Sequence, residues 1–139
     1  MATTTATITI TSADIADNSL SISNTMTLTT AGTGTGITET TGLARKKIAS
    51  ATEVDLITVA NTDVTAAKSA KVFIRNTSTA ADKWALIGVG EATATPIYIG
   101  RLYGGDWMLI PWDANANEDI TIKMNDATET IIEYMVFFE

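Results

Sequence analysis

A strict alternation of aliphatic and hydroxyl side chains in the first thirty residues constrains the fold of this chain more than any other feature. Ile8 and Ile10 stand between threonines, and a second run alternates Leu, Ile, Met and Leu with serine and threonine. A period of two places the aliphatic side chains on one face of an extended strand and the hydroxyls on the other. Because threonine is β-branched and suits a pleated surface, the pattern predicts strands near 3–11 and 19–29, joined by a polar turn over 12–18.

The remainder of the chain contains more short apolar runs, most of five to eight residues, bounded by Gly, Asn, Asp, Thr or Pro. Runs of this kind favour an all-β sandwich or barrel, and 139 residues are the usual size of a single domain. The stretch 43–51 has tolerable helix propensity but no pattern, so we expect it to be irregular or one turn, and 62–70 to be a loop or short helix. The predicted strands are Val54–Val59, Lys71–Asn76, Trp84–Val89, Ile97–Tyr103, Asp106–Ile110, Ile120–Met124 and Ile131–Phe138.

Two local patterns organise the C-terminal third. Gly104 and Gly105 lie between two apolar runs, which predicts a tight hairpin turn because glycine accepts the positive φ angles that such turns need. Pro111 is expected to end the second strand, since it cannot donate to a ladder. The last strand is apolar on both faces, with Met135 and Phe137 on one of them. It is therefore either central in a sandwich or has one face against another subunit.

The side chains that ordinary catalytic and metal sites need are missing or scattered. The chain has no Cys and no His, which excludes disulfides, thiolate nucleophiles, Ser-His-Asp triads and the commonest zinc ligand. No pair of carboxylates is flanked by the aromatics and donors that would shift a pKa. We expect Glu133 and Glu139 to be edge charges that discourage stray strand pairing. The sequence therefore predicts no enzymatic activity, no cofactor and no metal.

Two motifs begin a binding site without completing it. The Gly-x-Gly-x-Gly run over 32–36 has no clear helix after it, so a flexible loop or bulged strand end is expected rather than a phosphate cradle. Alternating oxygen side chains over 113–119 resemble the opening of a calcium loop. However, Glu118 stands where that loop needs glycine, and Met124 stands where it needs a carboxylate. A polar loop between strands is expected there.

The charge balance limits the partners. A formal net charge of −7 argues against nucleic acid, because phosphate backbones are bound by Lys and Arg that displace counterions. The single basic run, Arg45-Lys46-Lys47, is interpreted as a solvated loop or strand end, with contact to an acidic partner surface as the alternative. The N-terminus lacks the features of a secretory signal, and no segment is long enough to span a bilayer. We therefore expect no membrane partner.

Three tryptophans are the large aromatic residues: Trp84, Trp107 and Trp112. Core packing is the commoner fate of tryptophan, although carbohydrate sites and interfaces also use it. Trp112 follows Pro111 at an expected strand end, and of the three it is the one that we predict to be partly exposed.

Three segments of the C-terminal half, 71–76, 96–112 and 133–137, supply a strand, a Gly-Gly hairpin with a proline stop, and a closing aromatic strand. Together they resemble small structural proteins of tailed bacteriophages, including capsid decoration (cement) proteins with jelly-roll-like sandwiches. The resemblance covers about residues 70–139 and carries over no functional residue. It implies an antiparallel, jelly-roll-like β-sandwich, a virion location and self-association, commonly as trimers on the capsid.

The first functional hypothesis is therefore a decoration protein, assembled in the host cytoplasm onto the capsid surface, that binds between major capsid protein subunits and to itself. Residues 1–30 are expected to act as an arm or strand pair that engages a neighbouring subunit. The expected interface residues are Ile8, Ile10, Trp112, Met135 and Phe137.

Two alternatives remain open from the sequence. One is a tail, neck or fibre component of the virion, in which the same sandwich serves as a connector or host-binding knob. The other comes from a different class, a carbohydrate-binding module that uses Tyr103, Trp107 and Trp112 as stacking platforms.

Overall fold

The computed structural model describes residues 3–14, 19–65, 68 and 70–139. Parts of the predicted turn over 12–18 and of the predicted loop or helix over 62–70 lie outside the described residues. Within these residues the chain forms strands and one short 3-10 turn, η1 (Val59–Asn61), so the predicted all-β class is confirmed. The strands are β1 (Thr5–Ser12), β2 (Leu20–Thr27), β3 (Glu39–Thr40), β4 (Ala44–Ile48), β5 (Val54–Ile57), β6 (Ala70–Asn76), β7 (Ala85–Val89), β8 (Ile97–Leu102), β9 (Trp107–Trp112), β10 (Ile120–Met124) and β11 (Thr130–Phe138).

Two antiparallel sheets pack face to face. Sheet I has the order β3–β11–β6–β9, and β4 pairs with β11 next to the part that pairs with β3. Sheet II has the order β5–β10–β7–β8. If β3 and β4 are taken as one interrupted strand, the sandwich has eight strands that pair from the outside of the sequence inward. The pairs are β3/β4 with β11, β5 with β10, β6 with β9, and β7 with β8. This nesting of pairs is the jelly-roll topology, so the predicted jelly-roll-like sandwich is confirmed.

The core lies between the two sheets and is built by the period of two. Alternate residues of each central strand point inward, and these inward positions carry large aliphatic side chains. Burying one such side chain contributes about 1.5–3 kcal/mol, so this layer is the main source of stability. Its members with at most 1% exposure are Val72, Ile74, Ala85, Ile87, Ile120, Ile122, Met124, Ile132 and Val136.

The stretch 43–51, expected to be irregular or a single turn, contains β4. Its residues pair with β11 in the register Ala44 with Tyr134 to Ile48 with Thr130. The sequence of β4 has one large aliphatic residue, Ile48, and therefore shows no local alternation. The edge that β11 offers decides the conformation, because strand formation depends more on context than on local propensity.

The predicted Gly-Gly turn forms, but the predicted hairpin pairing is wrong. The backbone N–H of Asp106 donates to the carbonyl oxygen of Tyr103 at 2.9 Å. However, β8 pairs with β7 and β9 pairs with β6, so the turn carries the chain from sheet II to sheet I. A local pattern can show that the chain turns, but the partner of each strand is set by contacts distant in sequence.

The prediction that Pro111 ends its strand is also wrong. β9 continues through Pro111, which lies opposite Lys71, to Trp112, opposite Ala70. β9 is an edge strand of sheet I. An edge position accommodates proline because one side of the strand has no ladder to which it must donate.

Asn76, at the end of β6, ties the two sheets together at this turn. Its Nδ2 donates to the carbonyl oxygens of Lys83 at 3.1 Å and Leu102 at 3.0 Å, and its Oδ1 accepts from the backbone N–H of Ser78 at 3.0 Å. Its own carbonyl accepts from the N–H of Gly105 at 3.0 Å. The side chain is completely buried, and these bonds remove the cost of burying its amide.

Candidate interaction surface

β1 and β2 form a two-stranded antiparallel sheet of their own, outside the sandwich. Their register runs from Thr5 opposite Thr27 to Ser12 opposite Leu20. The two strands lie where the alternation of the sequence predicts them. We call these two strands the arm, and its connecting residues 15–18 lie outside the described part of the chain.

The register sorts the side chains of the arm onto two faces of opposite chemistry. Hydroxyls face hydroxyls across the strands, with Thr7 Oγ1 at 2.8 Å from Thr25 Oγ1 and Thr9 Oγ1 at 3.3 Å from Ser23 Oγ. The other face is aliphatic apart from Asn24 and Ser12, because residues two apart share a face. Its apolar members are Ala6, Ile8, Ile10, Leu20, Ile22 and Met26.

The aliphatic face of the arm is largely open to solvent. Four of its side chains are 41–50% exposed: Ile8, Ile10, Ile22 and Met26. Scattered exposed apolar residues are normal, but a contiguous set on one face marks an interaction site. An isolated two-stranded hairpin is also only marginally stable in water. Cover from another surface would therefore stabilise this part of the molecule.

The base of the arm is anchored to the outer face of sheet I. Leu28 follows β2, is almost completely buried, and donates its backbone N–H to the carbonyl oxygen of Thr4 at 2.9 Å. Beside it lies a cavity of about 170 Å³ between the arm and the sheet. The aliphatic face of the arm thus continues into an apolar cleft. Apart from residues 4–8, the cavity is lined by Leu28, Phe73, Trp107, Leu109 and Phe137.

Met135 and Phe137, predicted to be interface residues, point to the outer face of sheet I. Met135 lies opposite Phe73 of β6, and Phe73 lies opposite Leu109 of β9. Both predicted residues are half-buried. The structure brings Phe137 to the same cavity as Ile8, and Ile10 lies two residues further along the arm. Whether these four residues contact a partner stays a prediction.

The prediction that Trp112 is exposed is wrong. Its side chain is 5% exposed, and its Nε1 donates to the carbonyl oxygen of Glu118 at 2.7 Å. The error follows from Pro111, because β9 continues past it and the period of two turns Trp112 toward the core. Trp112 therefore offers no surface for contact with a protein or a sugar ring.

Glu133 is not an edge charge, because β11 is an interior strand of sheet I. The residue is buried between β4 and β6, directly opposite Arg45 on one side and Arg75 on the other. Its Oε1 accepts from Arg45 Nε at 2.8 Å, and its Oε2 lies 3.7 Å from Arg75 Nη1. Two arginines thus compensate the burial of one carboxylate.

The remaining charged positions serve the fold. Glu139 Oε2 accepts from the backbone N–H of Ala31 at 2.8 Å, which fastens the end of β11 to the segment after the arm. Within the basic run, Lys46 Nζ donates to the carbonyl oxygen of Asp55 at 2.7 Å and bridges the two sheets. The carboxylate of Asp119, in the segment 113–119 that resembles the opening of a calcium loop, accepts from the backbone N–H of Val59 at 2.8 Å.

Across the described ranges, no group of three or more His, Cys, Asp or Glu side chains is placed to hold a metal ion. The same part of the chain contains no helix that is long and apolar enough to cross a membrane.

Comparison with known proteins finds no match: no family model fits the sequence, and neither a curated protein nor a solved structure is significantly similar to it.

Proposed function

We propose that this protein is a structural component of the virion of a tailed bacteriophage, acting as a capsid decoration protein that binds between major capsid protein subunits. The observation that carries the proposal is the arm, whose exposed aliphatic face continues into an apolar cleft on sheet I. The major capsid protein is the partner that the sequence resemblance of residues 70–139 to phage structural proteins implies. The jelly-roll topology agrees with it, since capsid domains commonly use this fold, although the fold alone defines no function.

The arm would act as a clasp in this function. Seating its aliphatic face on a neighbouring subunit removes apolar surface from water, at about 25 cal/mol per Å² buried. The exposed edges of its two strands can also add to a sheet of the neighbour. Many copies on one shell would convert a modest affinity per site into a strong total attachment. No chemical step is needed, so we propose a protein without enzymatic activity.

Sedimentation with capsid shells of the phage that encodes the protein tests this function. The variant combines Ile8→Asp and Ile10→Asp, which place charge on the aliphatic face of the arm. Its matched control combines Thr9→Asp and Thr11→Asp, which add the same charge to the hydroxyl face of the same strand. We expect the double variant to lose at least about tenfold in affinity, while the control binds like the unmodified protein.

Thermal melting of each variant confirms that the sandwich is intact before binding is compared. Absence of binding by the unmodified protein contradicts the proposed function, and equal binding by all variants contradicts the role of the arm. Light scattering during gel filtration measures self-association, for which we expect a trimer.

The tail, neck or fibre alternative is separated by electron microscopy of virions labelled on this protein, because label on the tail contradicts a decoration role. The carbohydrate-binding alternative loses Trp112, which is buried. Of its three predicted platform residues, Tyr103 and Trp107 remain exposed, and no further observation favours this function.

A further inference from the structure

A second concentration of exposed apolar side chains lies on β8, well separated in sequence from the arm. Ile97 is 78% exposed, Tyr98 45% and Ile99 47%. β8 is an edge strand of sheet II and, within the described residues, pairs with β7 alone. An edge strand presents unpaired backbone N–H and C=O groups that can pair with another chain.

The other edges of the sandwich carry a proline, an interruption, basic side chains or a very short strand, each of which discourages such pairing. β8 has none of these four features, although it contains a β-bulge. β9 contains Pro111, and the edge made by β3 and β4 is interrupted and bears the basic run. β5 is only four residues long, and its Asp55 carbonyl is already bonded to Lys46. β8 has six residues with no proline, no acidic residue and a single charge, at Arg101. It is therefore the edge best suited to accept another strand.

A β-bulge in β8 determines which register a second strand could take. Tyr98 lies opposite Gly88 and Gly100 lies opposite Ile87, so Ile99 is the extra residue. Because of this extra residue, Tyr98 and Arg101 share the outer face of sheet II although they are three positions apart. Two copies of β8 can then pair antiparallel so that the two side chains of each opposed pair point to the same side of the joined sheet.

We propose that β8 pairs antiparallel with β8 of a second copy of this chain, which joins two four-stranded sheets into one of eight strands. The register is centred between Ile99 and Gly100. It places Tyr98 opposite Arg101 of the second copy, and Ile99 opposite Gly100 of the second copy. The contact uses a different surface from the arm and goes beyond the proposed function.

The side chains in this register complement one another. A Cβ atom added at Gly100 would meet nothing within 4 Å, so there is room beside it for Ile99 of the second copy. Within one chain the Tyr98 hydroxyl is bonded to Glu53, and the Arg101 guanidinium lies over the Trp84 ring at 4.3 Å. The Tyr98 ring of one copy packs on the other side of the Arg101 guanidinium of the second copy, which is a favourable pair. The two Arg101 side chains lie at opposite ends of the paired strands, so like charges are not opposed. A two-fold contact of this kind is the commonest symmetry of protein assemblies.

Disulfide cross-linking tests the register, and the absence of cysteine from the natural chain makes the result unambiguous. The variant carries Tyr98→Cys and Arg101→Cys together, and each single substitution is a control. Directly opposed residues have Cα atoms about 4.5–5.5 Å apart, within disulfide range. Within one chain the two positions are about 10 Å apart, too far to bridge. We expect the double variant to form covalent dimers at least about tenfold faster than either single variant. Equal rates would overturn the register.

Sedimentation velocity tests the contact itself. At high concentration we expect two of the proposed trimers to join through β8. We expect Ile99→Lys to halve the mass of this species to that of one trimer, because it puts two like charges at the two-fold axis. Ile131→Lys, at an exposed isoleucine on the outer face of sheet I, is the control that keeps the full mass. An unchanged mass with Ile99→Lys, or an unmodified protein that stays a monomer or a single trimer, would overturn the proposal. Two further measurements keep the proposals apart. Ile99→Lys should still bind capsid shells, and the combined Ile8→Asp and Ile10→Asp variant should still pair through β8.

Discussion

At the turn that joins β8 to β9, the two adjacent glycines meet different physical requirements. Gly105 has a φ of 90°, a region that side chains with a Cβ rarely enter. Gly104 is needed for close approach, because a Cβ there would collide with the carbonyl oxygen of Ala80 and lie 2.9 Å from that of Ser78. The sequence predicts a turn from the glycine pair. It cannot show that the segment 78–80 packs against Gly104, since that contact joins distant residues.

We expect Gly104→Ala to destabilise the protein by about 2–3 kcal/mol, because rigid backbone atoms of 78–80 must move to admit the methyl group. The control is Gly34→Ala, since a Cβ at Gly34 meets nothing within 4 Å. Its stability should change by less than about 1 kcal/mol. Urea unfolding of the three proteins measures both effects, and equal midpoints for the two variants would contradict the packing described for Gly104.

At the scale of elements, the arm and the sandwich strands differ in how their hydrogen bonds are protected. β6, β10 and β11 each lie between two other strands and contribute buried side chains to the core. β1 and β2 pair with each other and leave both faces largely exposed. Opening the arm therefore exposes little new apolar surface, whereas opening a central strand exposes the core.

Hydrogen–deuterium exchange checks this difference. We expect amides of β1 and β2 to have protection factors at least about 100-fold lower than those of β6 and β11, because local opening suffices for the arm. On capsid shells the arm amides should become protected and those of β6 should not change. Equal protection of the arm and the central strands in the free protein would show that the arm unfolds together with the sandwich.

The elements also show what the sequence can and cannot predict. β1, β2, β6 and β10 follow from alternation, because each carries its own apolar face. β4 does not, since its conformation depends on the edge of β11. The aliphatic face of the arm, and the placement of Met135 and Phe137 on the same face of β11, could be predicted from the pattern. The burial of Trp112 could not, because it depends on whether β9 continues past Pro111, which is decided by its position at a sheet edge.

At the scale of the whole molecule, charged and polar contacts join connections that are far apart in the chain. Lys83, before β7, pairs with Asp126, in the connection between β10 and β11. Glu53, before β5, accepts from the hydroxyl of Tyr98 on β8 and from Lys123 on β10. Both contacts lie in sheet II: the first joins the ends of β7 and β10, and the second joins β5, β8 and β10. They form only when these distant parts of the chain have assembled into one sheet. Their protonation is therefore linked to the folding of the whole domain.

The carboxylates of Asp126 and Glu53 make the free energy of unfolding depend on pH in the acid range. The hydrogen bond from Lys83, with a second from the backbone of Thr128, holds the pKa of Asp126 below its ordinary value. The pKa of Glu53 is lowered mainly by the hydrogen bond from Tyr98. A backbone hydrogen bond and the hydrogen bond from Lys123 lower it further. Since each group binds its proton less tightly in the folded state, each contributes stability above its unfolded pKa of about 4. That contribution is lost as the pH falls through the folded value.

We therefore expect the melting temperature to be nearly constant from about pH 7 to 5 and to fall below about pH 4. Asp126→Asn removes one of the two linked carboxylates, so its melting temperature should be lower than that of the unmodified protein at neutral pH and converge with it in acid. Asp113→Asn, at an exposed carboxylate in another loop, is the matched control and should run parallel to the unmodified protein throughout. If the Asp126→Asn curve also runs parallel, the pair with Lys83 does not stabilise the fold, because convergence in acid requires that the lost interaction depends on the charge of Asp126.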